Sequence, residues 1–389
     1  MSSLSFYDDF DQTAKKGEDT TSGLFSPFTF LIITLILSLF GLMMLYSATF
    51  DYAVENNRPH YYYLMTQFSG LVIGLLIGLA LRLLPLSFIR KTHYFFSLLT
   101  VTAFIIYFIK DRGQSGYITA SGMKLLSVPS LAVFSSVLSF SSTMPEIEKS
   151  DRFGVLYLIS ISYHIAIALL CAASGGLGAY AVYVLTIIIM MKPAGISRGY
   201  IVLASIFSAV LFAIILFTSN TAFSFFASAI MPVSDSSFFD GNMLSSLTAI
   251  KEGGIFGVKI GHGIFKMMKI DGTECRFIFT TMAEELGFFG INFILLLVLL
   301  YHVVAIRTER RALKEENTFI ASSSIGLSAM VIIPFLLSIM HTLAIFPFSG
   351  TSIPFFAYCP GNEALYIAGS YLLYKEIFII GRRKNDKIK

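Results

Sequence analysis

The stretch "GTECRFIFTTMAEELGFFG", residues 272–290, sets two adjacent carboxylates, Glu284 and Glu285, at the head of a run of more than fifteen nearly uncharged residues. An acid at membrane depth is costly and points by default to function. Neighbouring helical residues diverge by about 100°, so one of the two acids faces inward. The bland alternative is that both sit at a helix N-terminus, where the macrodipole favours carboxylates by ~0.3–1 kcal/mol. Upstream, Arg276 stands alone between Cys275 and Phe277–Ile278–Phe279.

The chain around this stretch is solvated by lipid. It has 389 residues, 55% hydrophobic and 13% charged, with mean hydropathy +0.75. Soluble domains carry about 25% charged residues. With 19 Tyr and no Trp, tyrosine takes the interfacial places. A net charge of +4 is too small and too dispersed along the chain to suggest a nucleic-acid partner, and none is expected. Three cysteines and six scattered histidines show neither a disulfide framework nor metal-ligand spacing.

A membrane span needs about 20 mostly apolar residues. Candidates lie near 27–49, 62–84, 92–110, 124–142, 155–173, 175–192, 199–218, 286–306, 319–345 and 361–381. The fold class is therefore an all-α polytopic membrane protein of about ten transmembrane helices, with one large extracytoplasmic loop, 219–285, between helices 7 and 8. The fourth span is Ser-rich and carries Pro129, and the fifth and sixth meet at a Gly175–Gly176 turn. With residue 1 inside, eighteen Lys and Arg fall on inner segments and nine on outer ones. The positive-inside rule then places both termini in the cytoplasm. Residues 1–26 read as an acidic cytoplasmic tail, 27–381 as the transmembrane domain, and 382–389 as a basic cytoplasmic tail. No cleavable signal peptide precedes the first span.

The long loop is too apolar for disorder, and loops of this length are usually functional. Leu244, Leu247 and Ile250 predict a short amphipathic helix ending at Gly253–Gly254. In "SSLTAIKEGGIFGVKIGHGIFKMMK", 245–269, glycines allow close backbone approach while Lys259, Lys266 and Lys269 supply charge. That combination suits a phosphate or pyrophosphate, although solvated lysines on a flexible loop give the same composition. In "FPFSGTSIPFFAYCPGNEAL", 346–365, Pro347, Pro354 and Pro360 forbid helix. Irregular backbone at a membrane edge is tolerated where it is buried or lines a cavity.

Together these stretches resemble the SEDS family (shape, elongation, division and sporulation), the FtsW/RodA/SpoVE membrane proteins. "SLTAIKEGGIFGVKIGHGIFK" and "RFIFTTMAEELGFFG" are similar to its Ser-Leu-x-Ala-Ile-x-x-Gly-Gly loop and its Asp-Phe-Ile-Phe…Glu-Glu-Leu-Gly block. "GLMMLYSAT", 41–49, resembles its Tyr-Ser-Ala motif, and "FSGTSIPFFAY" its Thr-Gly-x-x-x-Pro-Phe turn. The resemblance implies polymerisation of peptidoglycan glycan strands from lipid II, the undecaprenyl-pyrophosphate-linked disaccharide peptide. It implies work beside a class B penicillin-binding transpeptidase and other division or elongation proteins in the bacterial inner membrane. The implied chemistry needs a general base for a sugar hydroxyl and positive charge, from side chains or a divalent metal such as Mg, for the leaving pyrophosphate.

This copy departs from the family pattern. Arg276 stands at the family's essential aspartate, and arginine cannot act as a base. "VPSL" (128–131) replaces Gln-Pro-Ser-Glu, "GGLG" (175–178) replaces Pro-Asp-x-Gly, and the Arg-Trp pair after the third span is absent. Glu274 and Asp271 are the candidate substitutes for the base. Arg276, Lys266, Glu284, Glu285, Gly253, Gly254, Ser246, Ser349 and Gly350 are the candidate substrate-binding residues. Three functions stay open: an active polymerase, a non-catalytic division scaffold that binds lipid II and the transpeptidase, and a transporter of a lipid-linked precursor. Cys275 and Cys359, both on outer segments, are either a disulfide or two separate thiols.

Overall fold

A computed structural model describes residues 26–110, 116–120, 123–148, 150, 153–218, 241–268, 274–275, 277–345 and 351–388. Residues 1–25 of the proposed acidic tail therefore lie outside the described residues, as do Asp271, Arg276, Ser349, Gly350 and part of the long loop.

Ser26 opens the first helix by accepting the Thr29 amide at 3.1 Å, with Pro27 in the first turn, where a missing N–H is harmless. Helix α1 runs Pro27–Glu55, α2 Tyr62–Leu83 and α3 Leu86–Lys110. A β-hairpin follows, β1 Tyr117–Ala120 antiparallel to β2 Met123–Ser127. Then come α4 Val128–Glu148, α5 Phe153–Met191, α6 Arg198–Thr218, α7 Gly241–Gly253, α8 Ile278–Lys314, α9 Thr318–Thr342 and α10 Pro360–Ile388. Eight of these helices are long and apolar enough to cross a membrane.

The fourth expected span begins later than its hydropathy suggests. Residues 123–127 pair as β2, and the helix starts at Val128. Its serines Ser135, Ser136, Ser139, Ser141 and Ser142 are buried, because α4 packs among other helices rather than against lipid. A helix in that position need not be apolar.

At 39 residues, α5 would be roughly 58 Å long if straight, nearly twice the ~30 Å hydrocarbon core. It is not straight. Gly176 takes φ 77°, and His164 Nδ1 lies 2.9 Å from the Tyr183 hydroxyl across that break. In a continuous helix, 19 residues would separate those groups by roughly 28 Å. The two legs therefore fold back on each other, as the Gly175–Gly176 pair suggested.

Helix α10 lies along α2, whose Gly70, Gly74 and Gly78 face it. A Cβ on Gly74 would come within 2.9 Å of the Ala364 Cα. Small residues at such spacing let membrane helices approach closely. The expectation that Pro360 forbids helix is corrected, since Pro360 opens α10, where a missing N–H is harmless. Residues 351–359, around Pro354, are irregular and buried. Gln67 of α2 pins them. Its Oε1 accepts the Cys359 amide at 3.0 Å, and its Nε2 donates to Ala357 O and Glu363 Oε2, both at 3.3 Å.

Candidate functional site

The quoted stretch folds as a broken helix. Helix α8 starts at Ile278, so Glu284 and Glu285 lie well inside it and not at its N-terminus. The macrodipole explanation of the two acids is thereby replaced. Two residues beyond Glu285, Gly287 takes φ 66° and ψ −170°, and the helical ladder is interrupted. Residues 254–258 fill the gap. The Phe288 and Phe289 amides donate to Gly254 O (3.0 Å) and Ile255 O (3.1 Å), and the Val258 amide donates to Glu284 O (3.0 Å). Backbone groups that a break would orphan are thus satisfied by the loop. A Cβ on Gly287 would sit 2.2 Å from the Gly257 nitrogen, so the junction closes only around glycine.

The break aims the two carboxylates differently. Glu284 Oε1 accepts the Ile264 amide at 2.7 Å, and its Oε2 accepts the Phe265 amide at 3.2 Å. It shapes the loop. Glu285 turns toward α1, where Ser47 Oγ donates to both of its oxygens at 2.7 Å. Lys266 Nζ completes the cluster, 3.1 Å from Glu285 Oε1, 3.2 Å from Ser47 Oγ and 2.9 Å from Gly261 O. The Lys266 and Glu285 side chains are only 4% and 0% exposed. Such a pair leaves no uncompensated charge, and either partner alone would be costly.

Helix α7 forms where the sequence placed it, but it buries a different face. Leu244 is exposed, whereas Ser246 and Ala249 are buried. Ser246 Oγ lies 2.5 Å from Thr280 Oγ1, and a Cβ on Gly253 would meet Ala283 O at 2.3 Å. The small residues win because α7 lies flush on the first turns of α8. Gly253 and Gly254 thus give close approach to α8, Gly253 by packing and Gly254 through its carbonyl.

A second ion pair joins the hairpin to the head of α8. Lys124 Nζ lies 2.8 Å from Glu274 Oε1, 3.4 Å from Cys275 Sγ and 5.4 Å from the Tyr117 ring centroid. Burial opposes the Lys124 ammonium, but Cys275 and Glu274 outweigh it and hold its pKa above the ordinary lysine value. Cys275 Sγ donates to Tyr358 O at 3.1 Å, and the Tyr358 amide donates to Glu274 O at 2.8 Å. The Ser127 amide donates to Asn362 Oδ1 at 3.0 Å. Hairpin, residues 274–275 and residues 358–362 therefore form one hydrogen-bonded knot. Cys275 and Cys359 are both free and buried, and burial pushes each thiol up to about 12.

Of the candidates within the described residues, Lys266 and Glu285 pair directly, Glu284 packs beside them, and Ser246 and Gly253 support the head of α8. Glu274 belongs to the other ion pair. Sequence reasoning did not single out Ser47, Lys124 or Gln67. Ser47 lies within the Tyr46–Ser47–Ala48 motif, and Gln67 is a polar residue inside an apolar span, so both carried a signal. Lys124 carried none, since its partner is 150 residues away.

A divalent ion such as Mg needs several oxygen ligands. Among the described residues, no group of three His, Cys, Asp or Glu converges. Glu284 is taken up by backbone amides, and Glu285 by Lys266 and Ser47. The described residues do not fit a metal.

These features define a polytopic helical membrane protein in which residues 254–266 pack against a broken helix, with a buried Lys266–Glu285 pair and a part-buried Lys124–Glu274 pair beside it. The FtsW/RodA/SpoVE family model, described as "Cell cycle protein", matches residues 28–374, and the chain belongs to that family. It is 24% identical over 357 residues to the "Probable peptidoglycan glycosyltransferase FtsW" of Borreliella burgdorferi, spanning 84% of this chain and 90% of that protein. It is 25% identical over 343 residues to the "Stage V sporulation protein E" of Bacillus subtilis, spanning 84% and 90%. A structure described as "Structural coordination of polymerization and crosslinking by a peptidoglycan synthase complex" superposes with a TM-score of 0.70 at 16% identity, over 91% of this chain and 98% of the other. The crystal structure of the rod shape determining protein RodA of Thermus thermophilus gives 0.61 at 16%, over 90% and 95%.

Proposed function

We propose that this chain polymerises peptidoglycan glycan strands from lipid II, with Glu274 as the proton acceptor. The observation that carries this reading is the Glu274–Lys124 pair, a carboxylate and an ammonium 2.8 Å apart where the hairpin meets the head of α8. Glycan transfer needs both charges. The acceptor sugar hydroxyl gives its proton to a carboxylate as its oxygen bonds to the anomeric carbon of the donor, and the bond from that carbon to the pyrophosphate breaks. The departing pyrophosphate gathers negative charge that Lys124 offsets once it releases Glu274. Arg276, next but one to Glu274, adds a guanidinium suited to the same anion. The glycosyltransferase name of the Borreliella relative and the described work of the synthase complex support the reaction.

The protein would work in the bacterial inner membrane with both termini cytoplasmic, beside a class B penicillin-binding transpeptidase. The eight apolar helices, the doubled α5 and the interior α4 are consistent with ten spans. A second reading, a lipid II-binding scaffold without activity, is favoured by Arg276 at the position of the family aspartate. Strand synthesis by the purified protein, with and without its transpeptidase, separates the two. On the first reading Glu274→Ala lowers the rate by about 10²–10⁴-fold, while Arg276→Ala retains turnover with weaker binding. A native protein that binds lipid II yet makes no strands establishes the scaffold.

A further inference from the structure

At the opposite end of the bundle from Glu285 lies a recess of about 330 Å³. The stretch of α8 from Gly287 to Lys314 alone carries the chain roughly 40 Å away from the ion pairs described above. The recess is formed where α3 begins, α4 ends and the α8–α9 turn crosses between them. Its size falls within the 300–1,000 Å³ typical of small-molecule sites.

Its lining is charged in both senses. Arg90 of α3 stands on one wall, its guanidinium carbon 4.8 Å from the centroid of the Phe319 ring. Glu146 of α4 and Glu315 and Glu316 of the turn supply carboxylates. Asn317 caps α9 by accepting the Ile320 amide at 3.2 Å, so the positive end of that helix adjoins the recess. Ser141 also lines it. This side chain is fully buried, and its Oγ has no hydrogen-bond partner. A buried hydroxyl left unpaired is costly, and one that lines a recess is a ready contact for a ligand.

A simple anion would face three carboxylates here, and a simple cation would face Arg90. We propose that the recess binds a zwitterion, an oxyacid group joined by a short linker to a primary ammonium. The oxyacid meets Arg90, the Ser141 hydroxyl and the α9 N-terminus, where a guanidinium and a helix end both suit phosphate. The ammonium meets Glu146 and Glu316. An ethanolamine phospholipid headgroup and a free aminoalkyl phosphate share this chemistry.

The test uses the full chain in nanodiscs containing equal phosphatidylethanolamine and phosphatidylcholine, with retained lipid read by native mass spectrometry. Soluble phosphoethanolamine is added in parallel, with thermal melting as the readout. Enrichment of the ethanolamine lipid identifies the headgroup as the source, and a melting shift with the soluble probe alone identifies the free compound. Either response should fall about tenfold in Arg90→Gln and in the Glu146→Gln/Glu316→Gln double variant. Both of those carboxylates are exposed, so the double variant decides the matter if Arg90→Gln does not fold. No ethanolamine preference together with no melting shift overturns the proposal, as does a response that survives the double variant.

Discussion

Lys266 and Glu285 are separated by 19 residues in sequence, yet they share one hydrogen-bonded knot with Ser47 from the first helix. Removing one charge from such a pair strands the other, which costs roughly 3–5 kcal/mol, whereas removing both together costs far less. Lys266→Ala should therefore lower the thermal midpoint in detergent sharply, and Lys266→Met/Glu285→Gln should recover most of the loss. A double-variant loss equal to the sum of the Lys266→Met and Glu285→Gln losses would show that the residues act independently. The cysteines give a second residue-level prediction. With both thiols buried and pushed up to about 12, alkylation of the folded protein at neutral pH should be slow. After unfolding without reductant, the mass should rise by three alkyl groups, one each on Cys171, Cys275 and Cys359. A rise of one group would reveal a disulfide.

Helix α8 derives its site from its interruption. Gly287 combines a left-handed backbone with a contact that excludes any Cβ, and the 254–258 segment depends on it for three backbone hydrogen bonds. Strained backbone of this kind costs about 1–3 kcal/mol for a residue with a side chain, before the clash is counted. Gly287→Ala should accordingly unseat the loop, exposing 254–266 to limited proteolysis while α9 and α10 stay protected. If the cleavage pattern is unchanged, the loop is held by other contacts. Helix α7 carries a related lesson. Its leucine periodicity located the helix correctly, but the serine, alanine and glycine positions chose the buried face, since only small side chains let it lie against α8.

At the scale of the whole molecule, the arrangement of charges between spans leads to a labelling experiment. Single cysteines at 55, 240 and 350, introduced into a cysteine-free background, should react with an impermeant reagent from outside. Those at 150, 312 and 386 should not. Labelling at 312 from outside would invert the topology and with it the assignment of the two ends of the bundle. Much of this architecture was legible in the chain. Runs of apolar residues, the glycine pair at 175–176 and Pro354 each act over a few residues, so hydropathy and backbone chemistry determined most of the helices, the fold-back in α5 and the irregular stretch 351–359. The Ser-Leu-x-Ala-Ile-x-x-Gly-Gly loop and the Glu-Glu-Leu-Gly block carried the family. Tertiary structure alone decided which polar groups meet. Lys124 reaches Glu274 across 150 residues, Ser47 reaches Glu285 across 238, and Glu284 accepts the backbone amides of Ile264 and Phe265. Those pairings follow from how helices and loops stack in three dimensions, where a buried charge must find a partner, and no local pattern along the chain encodes which partner that will be.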